Sequence, residues 1–530
     1  MRHSARPLAV SAGLVAALAA IPLIFVIYQS GELAWSQWAS LWRSRVPQLL
    51  GNTLSLSALV AIGSLLLGVS SAWLVARREF RGRHLVSWLL ILPLAIPTYV
   101  FAHIYSVITA DDGWIGKLWL AASGTSLDIY NLWGTALVLT LASFSYVFLL
   151  VRIALMQANR GLEEAARIQG AGPFAVFWQV SLPLIRPAIA AALALVILHT
   201  LSDFGAVSML RFQTFTLSIY LQMSGRFDYH AAAGLSLILV LLSLTFIIIE
   251  RFFRQRACYF GGAQSRRQLP RQASPLELVI IWTWLGLICL FAFILPLLWM
   301  LEWSWLALIS DAIDQRFWGY TVNSITAGGL TATAAMLIAL PIGLFHTRIK
   351  SWLSGAFLHF SSVGFVLPGP VVALGIISFA IVVLPVLYGG LILLVLALVI
   401  RFLPLAVQSQ EAAMQQLTPS VEQAGRIHGA GPLENLWRVV LPLIRGGMAS
   451  AWVLVFIDTI KELPATLLLR PIGFDTLPVR IWIEASEEML EQAAPAALIL
   501  VIATLPAIWL MARGSFAAPQ PPGQAVAARL

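Results

Sequence analysis

His199 and Asp203, and again Asp458 and Glu462, stand inside otherwise apolar stretches of the chain. Each pair is spaced by four residues, which on a helix places both side chains on one face. Ionisable groups inside lipid-crossing segments are costly, and they mark substrate or ion paths by default. Carboxylate oxygens suit hard cations, whereas soft metals prefer thiolates. The chemistry on offer is therefore passage of a cation past a few carboxylates, with no certain metal site, because a channel must release what it accepts. His199 facing Asp458 across a central axis would lower the cost of burying both. The same four residues also admit a structural reading, as a pair across the axis or as polar helix ends. Lys461 could neutralise Glu462 or face lipid headgroups. No His, Asp and Ser cluster at catalytic spacing, so no catalytic residue is expected.

Such residues need lipid-embedded helices to hold them. The 530 residues are 59% hydrophobic and 11% charged, with a mean hydropathy of +0.86. A soluble domain carries about 25% charged residues, so this chain cannot coat a water-soluble globule. The net charge of +9 does not point to nucleic acid, since the basic residues sit in short gaps between apolar runs. Cys258 and Cys289 form no disulfide framework or metal spacing. A spanning helix takes about 20 mostly apolar residues. Twelve stretches qualify: 8–28, 53–76, 85–108, 133–151, 188–207, 231–249, 278–300, 323–345, 356–381, 387–407, 447–468 and 493–512. The first follows Arg2 and Arg6, but it is long for a signal peptide and no clear cleavage site follows. It is read as a retained helix. With the N-terminus in the cytoplasm and every stretch crossing once, most Lys and Arg fall on the inner side. These include Arg77, Arg78, Arg81 and Arg83, and the arginines between Arg251 and Arg271. The positive-inside rule then gives a multi-pass protein of the cytoplasmic membrane with both termini inside. Trp35, Trp38, Trp42, Trp114 and Trp119 fit an interfacial belt against membrane lipid.

The chain repeats itself. Residues 163–189 and 422–448 align without gaps at an offset of 259 and match at 15 of 27 positions. The likeness continues from Thr200 to Thr459, Asp203 to Glu462 and Ala206 to Ala465. At an offset of 271, Asn52 falls on Asn323 and Pro97 on Pro368. The expected fold is an all-α integral membrane protein of about twelve transmembrane helices in two repeated six-helix halves. The first repeat covers 1–250, a basic cytoplasmic linker 251–276, the second repeat 277–515 and a cytoplasmic tail 516–530. These are parallel repeats, so the natural route for cargo runs down an axis along the membrane normal.

The repeated segment lies between the fourth and fifth span of each half, in loops 160–187 and 418–446. A short helical stretch (Glu163 to Gln169; Glu422 to His428) precedes Gly-Ala-Gly-Pro, then an amphipathic stretch ending in Leu-Pro. Gly170 and Gly429 suit a left-handed helix end. Pro173 and Pro432 suit the first turn of the next helix. Two short helices at an angle, facing water, could dock a partner or simply connect two spans. That both halves retain the same residues while the spans have diverged favours docking.

This loop resembles the EAA loop of permease subunits in binding-protein-dependent ATP-binding-cassette importers. The first half carries Glu164-Ala165-Ala166, Gly170, Val180 and Leu182-Pro183. The second carries Gln423-Ala424-Gly425, Gly429, Val439 and Leu441-Pro442, with Gln for Glu and Gly for Ala. Glu422, one residue earlier, could compensate. The resemblance covers essentially the whole chain and implies a type I importer permease fold. It also implies that Glu163, Glu164, Ala165, Ala166, Arg167 and Gly170, with Glu422, Gln423, Ala424, Arg426 and Gly429, couple to two copies of a cytoplasmic ATPase. A periplasmic or lipid-anchored substrate-binding protein would deliver the cargo. A phosphate-binding loop needs Gly-Lys-Ser/Thr, and none of Lys117, Lys350 and Lys461 completes it. The chain is thus expected to be non-catalytic and to bind no cofactor, with ATP and Mg used by the partner.

Asp458-Thr459-Ile460-Lys461-Glu462-Leu463-Pro464-Ala465-Thr466 and Ser202-Asp203-Phe204-Gly205 look like segments of iron(III) importer permeases, as does the fused layout. The resemblance implies His199, Asp203, Asp458 and Glu462 in the pathway and iron(III) as cargo. Thiamine and polyamine importers share the layout or relate to it, and an acidic path argues against an anion but not against these. A twelve-span secondary transporter is a further alternative. Glu484, Glu487, Glu488 and Glu491 form either a patch for a basic edge of the delivery protein or a solvated helix face.

Overall fold

The computed structural model describes residues 2–157, 160–255, 271–311, 313, 315–349, 351–415, 417, 423, 425, 427, 429, 431–487 and 489–516. Helices dominate. Among the described residues, nine are long and apolar enough to cross a bilayer. Arg83–Ala95 and Thr98–Thr109 are apolar and long enough only as a pair, which is bent by 98° as a broken span or a re-entrant loop. Gly369–Val383 and Gln492–Pro506 are shorter apolar helices. Each of the twelve stretches expected from hydropathy thus has a helical counterpart.

Two of the stretches read as single spans break at repeat-related prolines. Pro97 (φ −60°, ψ 149°) separates Leu92–Ala95 from Thr98–Thr109, with Ile96 extended before it. Pro368 separates Val363–Val366 from Gly369–Val383, with Leu367 extended before it. Proline clashes with a helical residue in front of it and pushes that residue to extended angles. Hydropathy averages over the break and cannot see it.

Proline also explains a second regularity. Phe177–Ser181, Leu290–Ile294 and Leu436–Val440 are single π turns, and each leads directly into Leu-Pro. Leu182 N donates to Phe177 O, Leu295 N to Leu290 O and Leu441 N to Leu436 O, five residues back. A proline has no N–H and its ring crowds the carbonyl four residues earlier, so the preceding turn widens.

The repeats are contiguous in sequence, and the first helix of each bridges to the other half in space. Arg2–Gly31 packs on Tyr229–Gln255 of its own half and on Gly369–Val383, Gln315–Arg348 and Trp352–Ser361 of the second, with Phe25 edge-on to Phe379 at 5.5 Å. In return, Pro275–Ile309 packs on Leu490–Phe516 of its own half and reaches the first half. There Trp284 Nε1 donates to Ser70 Oγ (2.9 Å), Tyr105 Oη donates to the Phe291 carbonyl (2.5 Å), and His103 meets the Trp299 ring at 5.5 Å. Arg271–Gln272, at the end of the basic linker, pairs in parallel with Arg78–Glu79. The Ser274/Glu277 capping box then starts the next helix, and Arg78 Nη2 holds Glu277 Oε1 at 2.9 Å. The crossover is fixed at that end by backbone, cap and charge together.

Candidate translocation and coupling sites

Helix Leu182–Ser202 and helix Leu441–Ile460 end in the same way. Thr200 Oγ1 donates back to Val196 O (2.9 Å) and Thr459 Oγ1 to Val455 O (2.7 Å). Two short helices follow, Gly205–Met209 and Pro464–Leu469. Their first amides lack intrahelical partners, and an acid supplies the acceptor in each. Asp203 Oδ1 accepts from Ala206 N (2.9 Å) and Val207 N (3.3 Å). Glu462 Oε2 accepts from Ala465 N (3.1 Å) and Thr466 N (3.2 Å). Both acids are buried, at 6% and 5% exposure. The repeated Thr, acid and Ala positions are therefore three parts of one device, a helix stop followed by a capped restart. Asn52 and Asn323 complete it, donating to the carbonyls of Gln213 and Asp475 at 2.9 Å each.

The remaining carboxylate valences are met differently in the two halves. Asp203 Oδ2 accepts from Thr98 Oγ1 at 2.5 Å. Glu462 Oε1 lies 3.3 Å from Arg401 Nε, a charge contact without hydrogen-bond alignment. Arg401 Nη1 also donates to the Leu367 carbonyl (3.0 Å) at the second break.

These breaks line a cavity of about 280 Å³ shared by both halves, with His199, Asp203, Arg401, Asp458, Lys461 and Glu462 in its wall. The four residues singled out for the pathway thus come together. The pairing of His199 with Asp458 does not form. Asp458 instead meets Lys461, three residues on, at 3.5 Å, and His199 packs on the Tyr146 ring at 5.7 Å. Nor are Asp203 and Glu462 free carboxylates, since backbone amides hold them. An argument against anionic cargo from their charge loses its force. Among the described residues, no group of three or more His, Cys, Asp or Glu is placed to hold a metal ion. Thr98 and Arg401 were missed by sequence reasoning. Arg401 gave a signal, as the one charged residue of the apolar stretch 387–407; Thr98 gave none.

In the first repeated loop, Arg160–Ile168 leads to Gly170 at φ +89° and on to Pro173–Val176. The two adjacent glutamates face opposite ways. Glu163 is buried, accepting from Arg77 Nη2 (2.5 Å) and Ser181 Oγ (2.8 Å). Glu164, Ala165 and Arg167 are exposed, and Ala166 is half-buried. Ile168 (87%), Phe174 (76%) and Trp178 are exposed and form an apolar edge, with the Phe174 and Trp178 rings 5.8 Å apart. In the second loop Gly429 has φ +86°, Gln423 is exposed, and Ile427 (83%) and Trp437 (63%) repeat the edge. Glu422, Ala424 and Arg426 lie outside the described residues. The Gly at 425 has a local reason. A Cβ there would stand 2.4 Å from Asn435 Oδ1, whereas the equivalent first-half residues are Ala166 and Val176.

Both loops lie at one end of the bundle. Arg77 ties the first loop beside Arg78, which holds Glu277 at the start of Pro275–Ile309. Gln315–Arg348 is the next span, and at its far end His346 Nε2 meets Glu411 Oε1 (3.6 Å), just before the second loop. The acidic residues near the last helix do not form one solvated face. Glu484 is buried and paired with Arg480 (2.7 Å), which also lies over the Tyr320 ring. Glu487 is exposed, Glu488 lies outside the described residues, and the Glu491 side chain is not described.

Residues 64–257 and 335–513 each match the model for the binding-protein-dependent transport system inner membrane component. An Fe(3+)-transport system permease protein of Haemophilus influenzae is 30% identical, over 94% of this chain and 96% of that protein. A ferric transport system permease protein of Actinobacillus pleuropneumoniae is 24% identical over 80% of this chain and 65% of its own length. The sulfate transport system permease protein of Escherichia coli is 29% identical over 42% of this chain and 82% of its own. A bacterial alginate ABC transporter solved with its pentasaccharide-bound periplasmic protein aligns over 44% of this chain and 88% of its own, at 17% identity and a TM-score of 0.39. With the family's domain present twice and a full-length relative at that identity, this chain belongs to the inner membrane components of binding-protein-dependent transport systems.

Proposed function

We propose that the chain is the transmembrane permease of an ATP-driven importer and that its cargo is iron(III). The observation that carries the transport reading is the cavity walled by both repeats, in a bundle whose one end bears two exposed, repeat-related loops. Iron(III) is supported by the full-length relative, whose name gives that cargo. Two copies of a cytoplasmic ATPase engage the apolar edges at Ile168, Phe174 and Trp178 and at Ile427 and Trp437. ATP and Mg are bound there and not by this chain. A periplasmic or lipid-anchored binding protein presents cargo at the opposite end. Both termini face the cytoplasm, and Glu164 and Gln423 point outward where an ATPase would meet them. Alternating access at the two breaks moves the cargo across.

The test is uptake of labelled iron(III), thiamine and sulfate in cells lacking the gene and in cells regaining it. Restoration of iron uptake alone is the expected result. Restoration of thiamine or sulfate uptake with iron unchanged would overturn the cargo. Uptake that persists without a co-purifying ATPase and follows an ion gradient would overturn the importer class.

A further inference from the structure

The two halves cap the same break with different chemistry, and four equivalent positions around the acid carry the difference. The first half has Thr98, Ala142, Asp203 and Gly205; the second has Gly369, Arg401, Glu462 and Pro464. The substitutions compensate one another in space. A Cβ on Gly369 would meet Pro464 Cγ at 2.5 Å and Glu462 Oε1 at 2.7 Å, so threonine cannot serve there. A Cβ on Gly205 would press on Thr98 Oγ1 and on Tyr99 Cβ and Cδ1 at 3.0 Å each, so a proline there would require Thr98 and Tyr99 to shift. The outcome is one acid closed by a neutral hydroxyl at 2.5 Å and one held by a cationic side chain at 3.3 Å.

A guanidinium inside an apolar span is expensive, and a neutral cap of the first-half kind would dispense with it. Arg401 is partly exposed to the cavity at 19%, while the Glu462 side chain is at 2%. Lys461 is engaged by Asp458 and is not the counter-charge of Glu462. With no preformed cage among the described residues, Glu462 becomes available to a cation only when Arg401 leaves it.

We infer that Arg401 is a specificity-determining residue of the pathway, occupying the cation position beside Glu462 so that a hard cation reaches that carboxylate only by exchange for the guanidinium. The exchange puts one cation in the place of another beside the Glu462 carboxylate and leaves the first break, with Asp203 closed by Thr98, unresponsive. An iron(III) uptake experiment depends on the proposed cargo; a binding experiment on the purified chain does not.

The binding experiment titrates Tb(III), a hard trivalent probe whose emission the nearby Tyr99 and Tyr146 sensitise, against the purified full chain in lipid nanodiscs. Arg401→Gln is expected to bind about tenfold more tightly than wild type, because the acid loses its internal cation. Arg401→Lys should behave as wild type, and Glu462→Gln added to Arg401→Gln should abolish the gain. No gain in Arg401→Gln, or a gain that survives Glu462→Gln, overturns the inference. The uptake experiment transplants the first-half solution as Gly369→Thr, Arg401→Ala, Glu462→Asp and Pro464→Gly together. This chain retains a capped break but has no exchangeable charge, so it should insert and assemble yet lose most labelled-iron uptake. Wild-type uptake by the assembled transplant would reduce Arg401 to a structural brace, and this result decides the matter should Arg401→Gln fail to fold. If wild type itself moves no iron(III), the cargo reading fails while the Tb(III) result stands.

Discussion

Arg77 Nη2 and Glu163 Oε1 meet at 2.5 Å with both side chains 5% exposed, joining the end of helix Val46–Arg77 to the first repeated loop. Ser181 Oγ reaches the same carboxylate oxygen from the far side of the loop. The loop is thus pinned at both of its arms to one lipid-embedded helix. This gives Glu163 a role distinct from that of its exposed neighbour Glu164. Breaking a buried pair by removing one partner leaves an uncompensated charge and costs about 3–5 kcal/mol. Glu163→Ala should lower thermal stability and uncouple transport, and Arg77→Met added to it should recover part of the lost stability. A double-mutant cycle by thermal unfolding in detergent checks this; strictly additive losses would contradict it.

Gly425 and Asn435 make a second compensated exchange. A methyl group at 425 presses on Asn435 Oδ1, and overpacking of this kind costs about 1–3 kcal/mol. Gly425→Ala alone should weaken the second loop. Gly425→Ala with Asn435→Val, which reproduces Ala166 and Val176, should restore it. Protease sensitivity of residues 418–446 is the readout.

Gly170 and Gly429 have φ of +89° and +86°, and nothing lies within 4 Å of an added Cβ at either. Any effect of substitution there is backbone strain, about 1–2 kcal/mol for a left-handed L-residue and more for a β-branched one. Valine at both positions should leave membrane insertion intact and abolish uptake, while asparagine, which tolerates these angles, should retain much of it.

Thr98 is the hydroxyl that closes Asp203. Thr98→Val removes a donor to a buried carboxylate and should destabilise the chain by about 1–3 kcal/mol. Thr98→Ser, which retains the hydroxyl, should be close to wild type. Equal losses in both variants, by thermal unfolding, would show that packing of the methyl matters and not the hydrogen bond.

Ile168, Phe174 and Ile427 are exposed apolar residues on the two loops. Ile168→Asp with Phe174→Ser should halve the ATPase that co-purifies without lowering the amount of inserted chain, and adding Ile427→Asp should remove most of the rest. Full retention in the triple variant would move the docking surface elsewhere.

Much of this was legible in the residues themselves. Low charge and long apolar runs required a lipid solvent. The repeat at 163–189 and 422–448 required two equivalent halves, because fifteen identities in one register demand one local structure twice. Intramembrane acids beside a helix break declared their importance through the cost of burying them. Three features were decided only in three dimensions. Hydropathy sums over a window and is blind to the direction a chain takes after Pro97 or Pro368, so the broken spans were hidden. Contiguity in sequence says nothing of which half a flanking helix covers, so the bridging of the halves by Arg2–Gly31 and Pro275–Ile309 was hidden too. The partner of a buried charge is chosen by distance across the bundle: Arg401 is 61 residues from Glu462, and Thr98 is 105 from Asp203. Residue type told that these acids must be satisfied; only packing told by what.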